Sequence, residues 1–132
     1  TSAVKTVDRI IDALPALERG QAKTFLAQSL VGVVTQVLVR TPDGRARRAV
    51  FELMTRNKAI SKLITSDQTH LIPSQLQTGK SAGMQLMDQA LLDAINARDI
   101  DPDDAYRFAE DKKKFVRFVT DTSILPKLDV VD

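Results

Sequence analysis

A tight turn between two runs of β-branched and aliphatic residues constrains this chain more than any other feature. Thr41-Pro42-Asp43-Gly44 has proline at the second position, which fixes φ, and glycine at the fourth, as favoured in a type I turn. One aliphatic run precedes this turn and another follows it. The sequence therefore predicts a β-hairpin with strands over 34–40 and 46–53 and a basic tip.

Helical periodicity dominates the rest of the chain. Apolar residues recur three and four positions apart, and prolines and glycines fall where helices begin or end. In particular, Ser81 is expected to cap the longest helix, and Asp101-Pro102 is expected to begin the last one. The predicted helices cover 2–14, 18–30, 57–67, 73–79, 81–98 and 101–110. The expected fold class is α+β, mostly α: helices with one hairpin, followed by a C-terminal helical bundle.

Composition excludes several classes of protein. The 132 residues suit one compact domain. Because the chain has no cysteine, a disulfide scaffold, a Cys-ligated zinc site and thiol catalysis are excluded. The one histidine, His70, has no motif partner for a metal site or a catalytic triad. No apolar run approaches the roughly 18 residues of a membrane-spanning helix.

Charge is distributed unevenly along a chain whose net charge is only +2. Seven basic residues lie between Arg40 and Lys62, and eight acidic residues lie between Asp88 and Asp111. Oppositely charged surfaces of this kind suit docking between neighbouring copies of one protein. Two solvated faces without a partner explain the same pattern equally well.

The segment Gln77-Thr78-Gly79-Lys80-Ser81 ends like a phosphate-binding P-loop, in which backbone N–H groups and a lysine hold phosphates. The complete motif needs another glycine five residues before Gly79, where this chain has Ser74. It also needs a preceding buried strand, and residues 71–76 make a poor one. A turn between two helices explains the segment better, so neither a cofactor nor a metal ion is expected to bind this chain.

Arg45, Arg47 and Arg48 cluster at the predicted hairpin tip, where a guanidinium fork can reach a phosphate or a carboxylate. Nucleic acid, a nucleotide on a neighbouring subunit and an acidic protein surface all fit this chemistry. Only Phe51 lies nearby among the aromatic residues, so nucleic acid, which needs base stacking, is the weakest of the three. These arginines are the candidate interface residues.

Four ordered segments together resemble the PilT-like branch of the pilus-retraction and type II/IV secretion ATPases. Residues 1–12 are similar to the stretch after the family's His box, and residues 29–36 are similar to its S-L-x-x-V-x-x-Q segment. Residues 43–54 resemble the family's hairpin, and residues 77–91 resemble its Q-T-G-x-x-x-G-M-Q-T-x-D-Q-x-L segment. The positions that match family motifs are Ala59, Ile60, Leu63, Ile64, Gly79, Gly83, Met84, Gln85 and Asp88.

The resemblance implies a fold and a task. Residues 1–54 would complete a RecA-like ATPase core, residues 55–119 would form a helical C-terminal domain, and residues 120–132 would form a tail. Such proteins assemble as cytoplasmic hexameric rings at the bacterial inner membrane. They use ATP and Mg²⁺ to drive pilus retraction, twitching motility or secretion, and they act on a platform protein in that membrane. The resemblance implies neither nucleic-acid binding nor direct membrane insertion.

The same resemblance places the family's Walker A, Walker B and His-box residues upstream of this chain, which is therefore expected to be inactive alone. The expected contribution of the chain is subunit contact and transmission of motion. One motif departs from the retraction branch, which has A-I-R-N-L-I-R, because Ser61 and Thr65 replace both arginines within residues 59–65. Retraction, pilus assembly, secretion and gliding motility therefore all remain open as the task of the longer parent protein.

Two interpretations from other classes compete with the motor fragment. One is a stand-alone helical protein-interaction module, and the other is a small nucleic-acid-binding protein that uses its basic hairpin. Unlike the stand-alone module, a motor fragment should expose apolar surface within residues 1–40, where the rest of its sheet would pack.

Overall fold

A computed structural model describes residues 2–126, and within that range the chain forms six α-helices and a two-stranded sheet. The helices are α1 Ala3–Asp12, α2 Arg19–Ser29, α3 Lys58–Thr65, α4 Ile72–Thr78, α5 Met87–Asn96 and α6 Pro102–Phe108. The strands are β1 Gly32–Arg40 and β2 Arg47–Thr55. The predicted α+β, mostly helical class is confirmed. No helix among residues 2–126 is long and apolar enough to cross a membrane.

The β-hairpin forms around the turn that the sequence predicts. The Gly44 N–H donates to the Thr41 carbonyl at 2.9 Å, and Gly44 adopts a φ of 71°. The Thr41 N–H donates to the Ala46 carbonyl at 2.9 Å, while at the open end the Arg56 N–H donates to the Val31 carbonyl at 3.1 Å. Both pairs fit one continuous antiparallel register.

Contacts divide the described chain into two compact units. The first unit contains residues 2–36 and 51–90, and the second contains residues 37–50 and 91–126. The division falls within both strands and within α5, so it follows neither of the limits predicted at residues 54 and 119. Those domain limits refer to the parent protein and stay a prediction.

The four helices α1, α2, α3 and α4 and the base of the hairpin form the core of the first unit. Ser2 and Asn57 cap α1 and α3, because their side chains accept hydrogen bonds from N–H groups in the first turns. Apolar residues spaced four positions apart along α1, α3 and α4 are buried, as the helical period predicts. The buried apolar side chains are Ala3, Val7, Ile11, Ala27, Val33, Met54, Ile60, Ile64, Ile72, Leu76 and Met84.

In the second unit, α6 begins as the sequence predicts. The Asp101 side chain accepts a hydrogen bond from the Asp103 N–H at 3.2 Å, and Pro102 occupies the first helical position. At the other end, the Lys112 Nζ donates to three main-chain carbonyls of residues 106–109 at 3.0–3.2 Å. Lys112 thus satisfies carbonyl groups that the end of a helix leaves without partners.

The prediction for the longest helix is wrong at its N-terminal end, because α5 begins at Met87 rather than after Ser81. Gly83 adopts a φ of 84°, in the left-handed region, and so interrupts the helical course of the chain. Gln85 then pairs with Leu53 as an isolated antiparallel bridge, with N–H to carbonyl distances of 3.0 Å in both directions. A long-range pairing therefore overrides the local capping signal.

The chain after α6 contains short 3-10 turns and is tied to the helix start. The Thr120 N–H and hydroxyl donate to the Asp103 carboxylate at 2.6 and 2.5 Å. The Thr120 hydroxyl is the main reason why the pKa of Asp103 lies below its ordinary value. Thr120, the first residue of the predicted tail, is therefore bonded to the first turn of α6, and the extent of the tail stays a prediction. Thr1 and residues 127–132 of the expected tail lie outside the described residues.

Candidate functional site

A single buried carboxylate joins two helix N-termini in the first unit. Glu52 lies on the inward face of β2, with only 6% of its surface exposed. Its Oε1 accepts from the Ala3 N–H at 2.8 Å, and its Oε2 accepts from the Met87 N–H at 3.0 Å. Both amides belong to first helical turns, which lack intrahelical acceptors and favour negative charge. Glu52 therefore attaches α1 and the start of α5 to the hairpin.

The glycine-rich motif segment before α5 lies against the same strand. A Cβ atom on Gly79 would lie 2.8 Å from the Gln75 carbonyl oxygen and 2.8 Å from the Met84 Sδ, so only glycine fits there. Met84 itself is 2% exposed. The Gln85 Nε2 donates to the Phe51 carbonyl at 2.8 Å. These motif positions lay the loop onto β2, and the Gly-Lys-Ser sequence belongs to a turn between helices, as predicted.

The apolar motif positions of α3 serve the core. Ile60 and Ile64 are fully buried, and Leu63 packs against the same cluster, whereas Ala59 is exposed. Asp88, the remaining motif position, is half-buried in the first turn of α5. The arrangement of these residues is architectural, and their role in contacts with other molecules stays a prediction.

Arg56 and Ser61 hold the C-terminal end of α2. The Arg56 guanidinium donates to the Leu30 carbonyl at 2.5 Å and to the Ala27 carbonyl at 3.2 Å. The Ser61 hydroxyl donates to the same Ala27 carbonyl at 2.6 Å. These bonds satisfy acceptors that the last turn of a helix leaves free. Arg56, one of the seven basic residues between Arg40 and Lys62, thus donates hydrogen bonds within the first unit.

The three candidate arginines lie at the hairpin tip but do not share one surface. Arg45 and Arg47 line a concavity of about 410 Å³ together with Arg40, and Arg48 does not line it. All four side chains are exposed. Within residues 2–126 no carboxylate forms an ion pair with any of them. The structure therefore adds Arg40, which sequence reasoning did not single out, and separates Arg48 from the group.

The Asp43 carboxylate forms hydrogen bonds within the turn. The Asp43 carboxylate accepts from the Thr41 hydroxyl at 2.6 Å and from the Arg45 N–H at 3.0 Å. These hydrogen bonds, that of Thr41 first, lower the pKa of Asp43 below its ordinary value. Elsewhere in the described chain, no cluster of three His, Asp or Glu side chains could hold a metal ion.

Apolar side chains are exposed at the N-terminal side of the first unit. Leu17 is 99% exposed, Val31 is 86% exposed, and Phe25 and Val34 are each 67% exposed. Val34 lies on the outward face of β1, and no strand among residues 2–126 pairs with the outer edge of β1. The exposed apolar surface that a motor fragment should show within residues 1–40 is therefore present.

Sequence reasoning missed Glu52, although a signal was present. In an alternating strand, the acid occupies the same inward-facing set of positions as Val50 and Met54. A buried carboxylate requires hydrogen-bond donors, so its position in the pattern was sufficient to predict a buried polar contact. The identity of the donors was not accessible, because they lie 49 and 35 residues away along the chain.

Comparison with known proteins identifies relatives of one kind. No protein-family model matches the chain. A twitching motility protein of Neisseria gonorrhoeae is 41% identical over 113 residues, which are 86% of this chain and 30% of that protein. The type IV pilus retraction ATPase PilT of Pseudomonas aeruginosa is 41% identical over 91 residues, which are 69% of this chain and 26% of that protein.

A solved structure supports the same relationship. The crystal structure of the pilus retraction motor PilT with bound ADP matches with a TM-score of 0.74 and 28% identity, covering 86% of this chain and 31% of that one. The chain thus spans less than a third of the length of the relatives it matches, which fits the predicted C-terminal fragment. The chain belongs to the PilT-like family of pilus-retraction and secretion ATPases.

Proposed function

We propose that this chain is the C-terminal part of a hexameric motor ATPase that powers type IV pilus retraction or a related secretion step. The observation that carries the proposal is the 41% identity to a twitching motility protein over 86% of the chain. The parent protein would hydrolyse Mg·ATP with residues outside this chain. It would work in the cytoplasm, at the inner-membrane platform of the pilus or secretion machine.

The first unit offers a surface for the rest of a subunit core. The outer edge of β1 has unpaired main-chain groups within the described chain, and Val31 and Val34 are exposed beside it. An edge of this kind favours pairing with another strand, and exposed apolar side chains favour burial. Both features support the proposal that residues 1–54 complete a RecA-like core.

Glu52 supports a role in transmitting motion. Because one carboxylate binds the N-termini of α1 and α5, a displacement of the hairpin would move both helix starts together. Charge-assisted hydrogen bonds are short and strong enough to act as such a connection. Contacts between subunits would come from the hairpin tip, where Arg45, Arg47 and Arg48 are exposed.

Deletion of the coding sequence for this chain from its native gene tests the proposal. A retraction motor predicts loss of twitching and accumulation of surface pili, and a secretion motor predicts loss of secreted proteins. Reintroduction of the native gene should restore the phenotype, whereas a version carrying Glu52→Ala should restore it less well at equal protein level. Unchanged pili, twitching and secretion after deletion would contradict the motor assignment and favour a stand-alone interaction module.

A further inference from the structure

The concavity at the hairpin tip, within the second unit, is lined by three cationic side chains. Arg40, Arg45 and Arg47 surround a volume of about 410 Å³, and Gly44 and Ala46 complete the lining. None of these guanidiniums forms an ion pair within residues 2–126. Like charges that share a small space repel each other, and an anion placed among them removes that repulsion.

Hydrogen bonds hold the main chain at two of the three arginines, Arg45 and Arg40. Asp43 accepts a hydrogen bond from the Arg45 N–H at 3.0 Å. Asp104 accepts from the Arg40 N–H at 2.8 Å, and the Asp101 N–H donates to the Arg40 carbonyl at 2.7 Å. The backbone is therefore positioned before any ligand arrives, and preorganisation of this kind favours binding.

The chemistry of the lining favours phosphate over other anions. A guanidinium fork donates two parallel hydrogen bonds to a phosphate, whose oxygens point in several directions and can engage more than one arginine. A planar carboxylate is matched by a single fork. Among the described residues, no aromatic side chain lines the concavity, so a nucleobase would find no stacking partner in this part of the chain. The volume admits more than one phosphate group, and the small Gly44 and Ala46 leave the approach open.

We propose that this concavity binds the phosphate groups of a phosphorylated anion and recognises the phosphates alone. The site consists of Arg40, Arg45 and Arg47, with Arg48 outside it. The phosphate site shares Arg45 and Arg47 with the subunit contact proposed above, but it does not depend on the motor function, because all three arginines lie within this chain and can be tested in it alone. A soluble phosphorylated metabolite and a phospholipid headgroup share the required chemistry.

Calorimetric titration of pyrophosphate into the chain tests the site. We expect Arg47→Gln to weaken the affinity about fivefold to tenfold, since it removes one charge-assisted fork on an exposed surface. Arg48→Gln is the matched control, because it removes the same charge from the neighbouring residue of the strand. We expect it to change the affinity less than about twofold, because only long-range, salt-screened attraction is lost. Arg47→Lys, which keeps the charge but loses the fork, should fall between the two.

The source of the phosphate is resolved by two further titrations, with ADP and with vesicles containing phosphatidic acid. Arginine-dependent binding of ADP supports the site with a soluble ligand, and arginine-dependent binding of vesicles supports it with a lipid headgroup. The proposal is overturned if pyrophosphate does not bind, or if Arg48→Gln weakens binding as much as Arg47→Gln does. Circular dichroism should be the same for all variants, since the side chains are exposed.

Discussion

Replacement of Glu52 tests the central connection of the first unit. Glu52→Ala leaves the N–H groups of Ala3 and Met87 without their present acceptor in a buried setting. Each unsatisfied buried donor costs about 1–3 kcal/mol. Loss of the negative charge at each helix N-terminus adds about 0.3–1 kcal/mol. We therefore expect the free energy of unfolding to fall by about 3–8 kcal/mol, a large share of the roughly 5–15 kcal/mol of a typical domain.

Glu52→Gln is the more informative variant, because it keeps the shape of the side chain. The amide offers one acceptor oxygen, so one helix N-terminus keeps its bond while the other meets an NH₂ donor. We expect the free energy of unfolding to fall by about 2–3 kcal/mol. At about 3–6 °C per kcal/mol for a chain of this size, the melting temperature should fall by roughly 6–18 °C.

Urea unfolding followed by circular dichroism gives the free energies of these variants. Amide hydrogen exchange adds a local measurement, because the Ala3 and Met87 amides should lose protection more than the rest of the core. Glu18→Gln is the control: it removes the same charge from an exposed side chain at the N-terminus of α2 that caps no amide within residues 2–126, and it should cost less than about 1 kcal/mol. If Glu52→Gln were as stable as the unmodified chain within this margin, the argument that Glu52 joins the two helices would be refuted.

Four further variants test other parts of the fold by urea unfolding. The buried Thr35 hydroxyl has no hydrogen-bond partner among residues 2–126, so Thr35→Val should leave stability unchanged or raise it by up to about 1 kcal/mol. Gly83→Ala should cost about 1–2 kcal/mol because its φ is 84°, although no atom of residues 2–126 obstructs a new Cβ. Gly20→Ala, equally unobstructed but within α2, should instead stabilise by about 0.5–1 kcal/mol. Asp103→Asn should destabilise the chain near neutral pH. Because the folded pKa of Asp103 is lowered, the stability contributed by its carboxylate is present above pH 3.8 and is lost as the pH falls through the folded pKa. The unfolding free energies of the variant and of the unmodified chain should therefore converge in acid.

Local signals in the sequence were sufficient for most of the fold. The turn at Pro42 and the helix start at Asp101 depend on neighbouring residues alone, and the structure has both where the sequence predicts them. Ser81 failed as a helix cap because Gly83 and the pairing of Gln85 with Leu53 decide the course of that segment. A pairing partner 32 residues away leaves no mark on the local pattern.

The candidate site was predicted less completely than the fold, and for the same physical reason. Arg45 and Arg47 were found because charge at a tight turn is a local feature. Arg40 lies beside Arg45 and Arg47 only because of the register of the hairpin. Arg48 does not line the concavity, because successive residues of a strand face opposite sides. A list of basic residues therefore predicts a charged tip, whereas the shape of the tip selects which of those charges can act together.

The departure of α3 from the retraction-branch motif has a structural counterpart in the first unit. Ser61 stands where the resemblance gives an arginine, and its hydroxyl lies 2.6 Å from the Ala27 carbonyl at the end of α2. Arg56 already donates to that carbonyl, so a second guanidinium at residue 61 would have to turn outward or displace the first. The other replaced position, Thr65, bonds to carbonyls of its own helix. The polar groups at both positions are thus used within the unit, and any partner of the parent protein that binds α3 must recognise a surface without these two arginines.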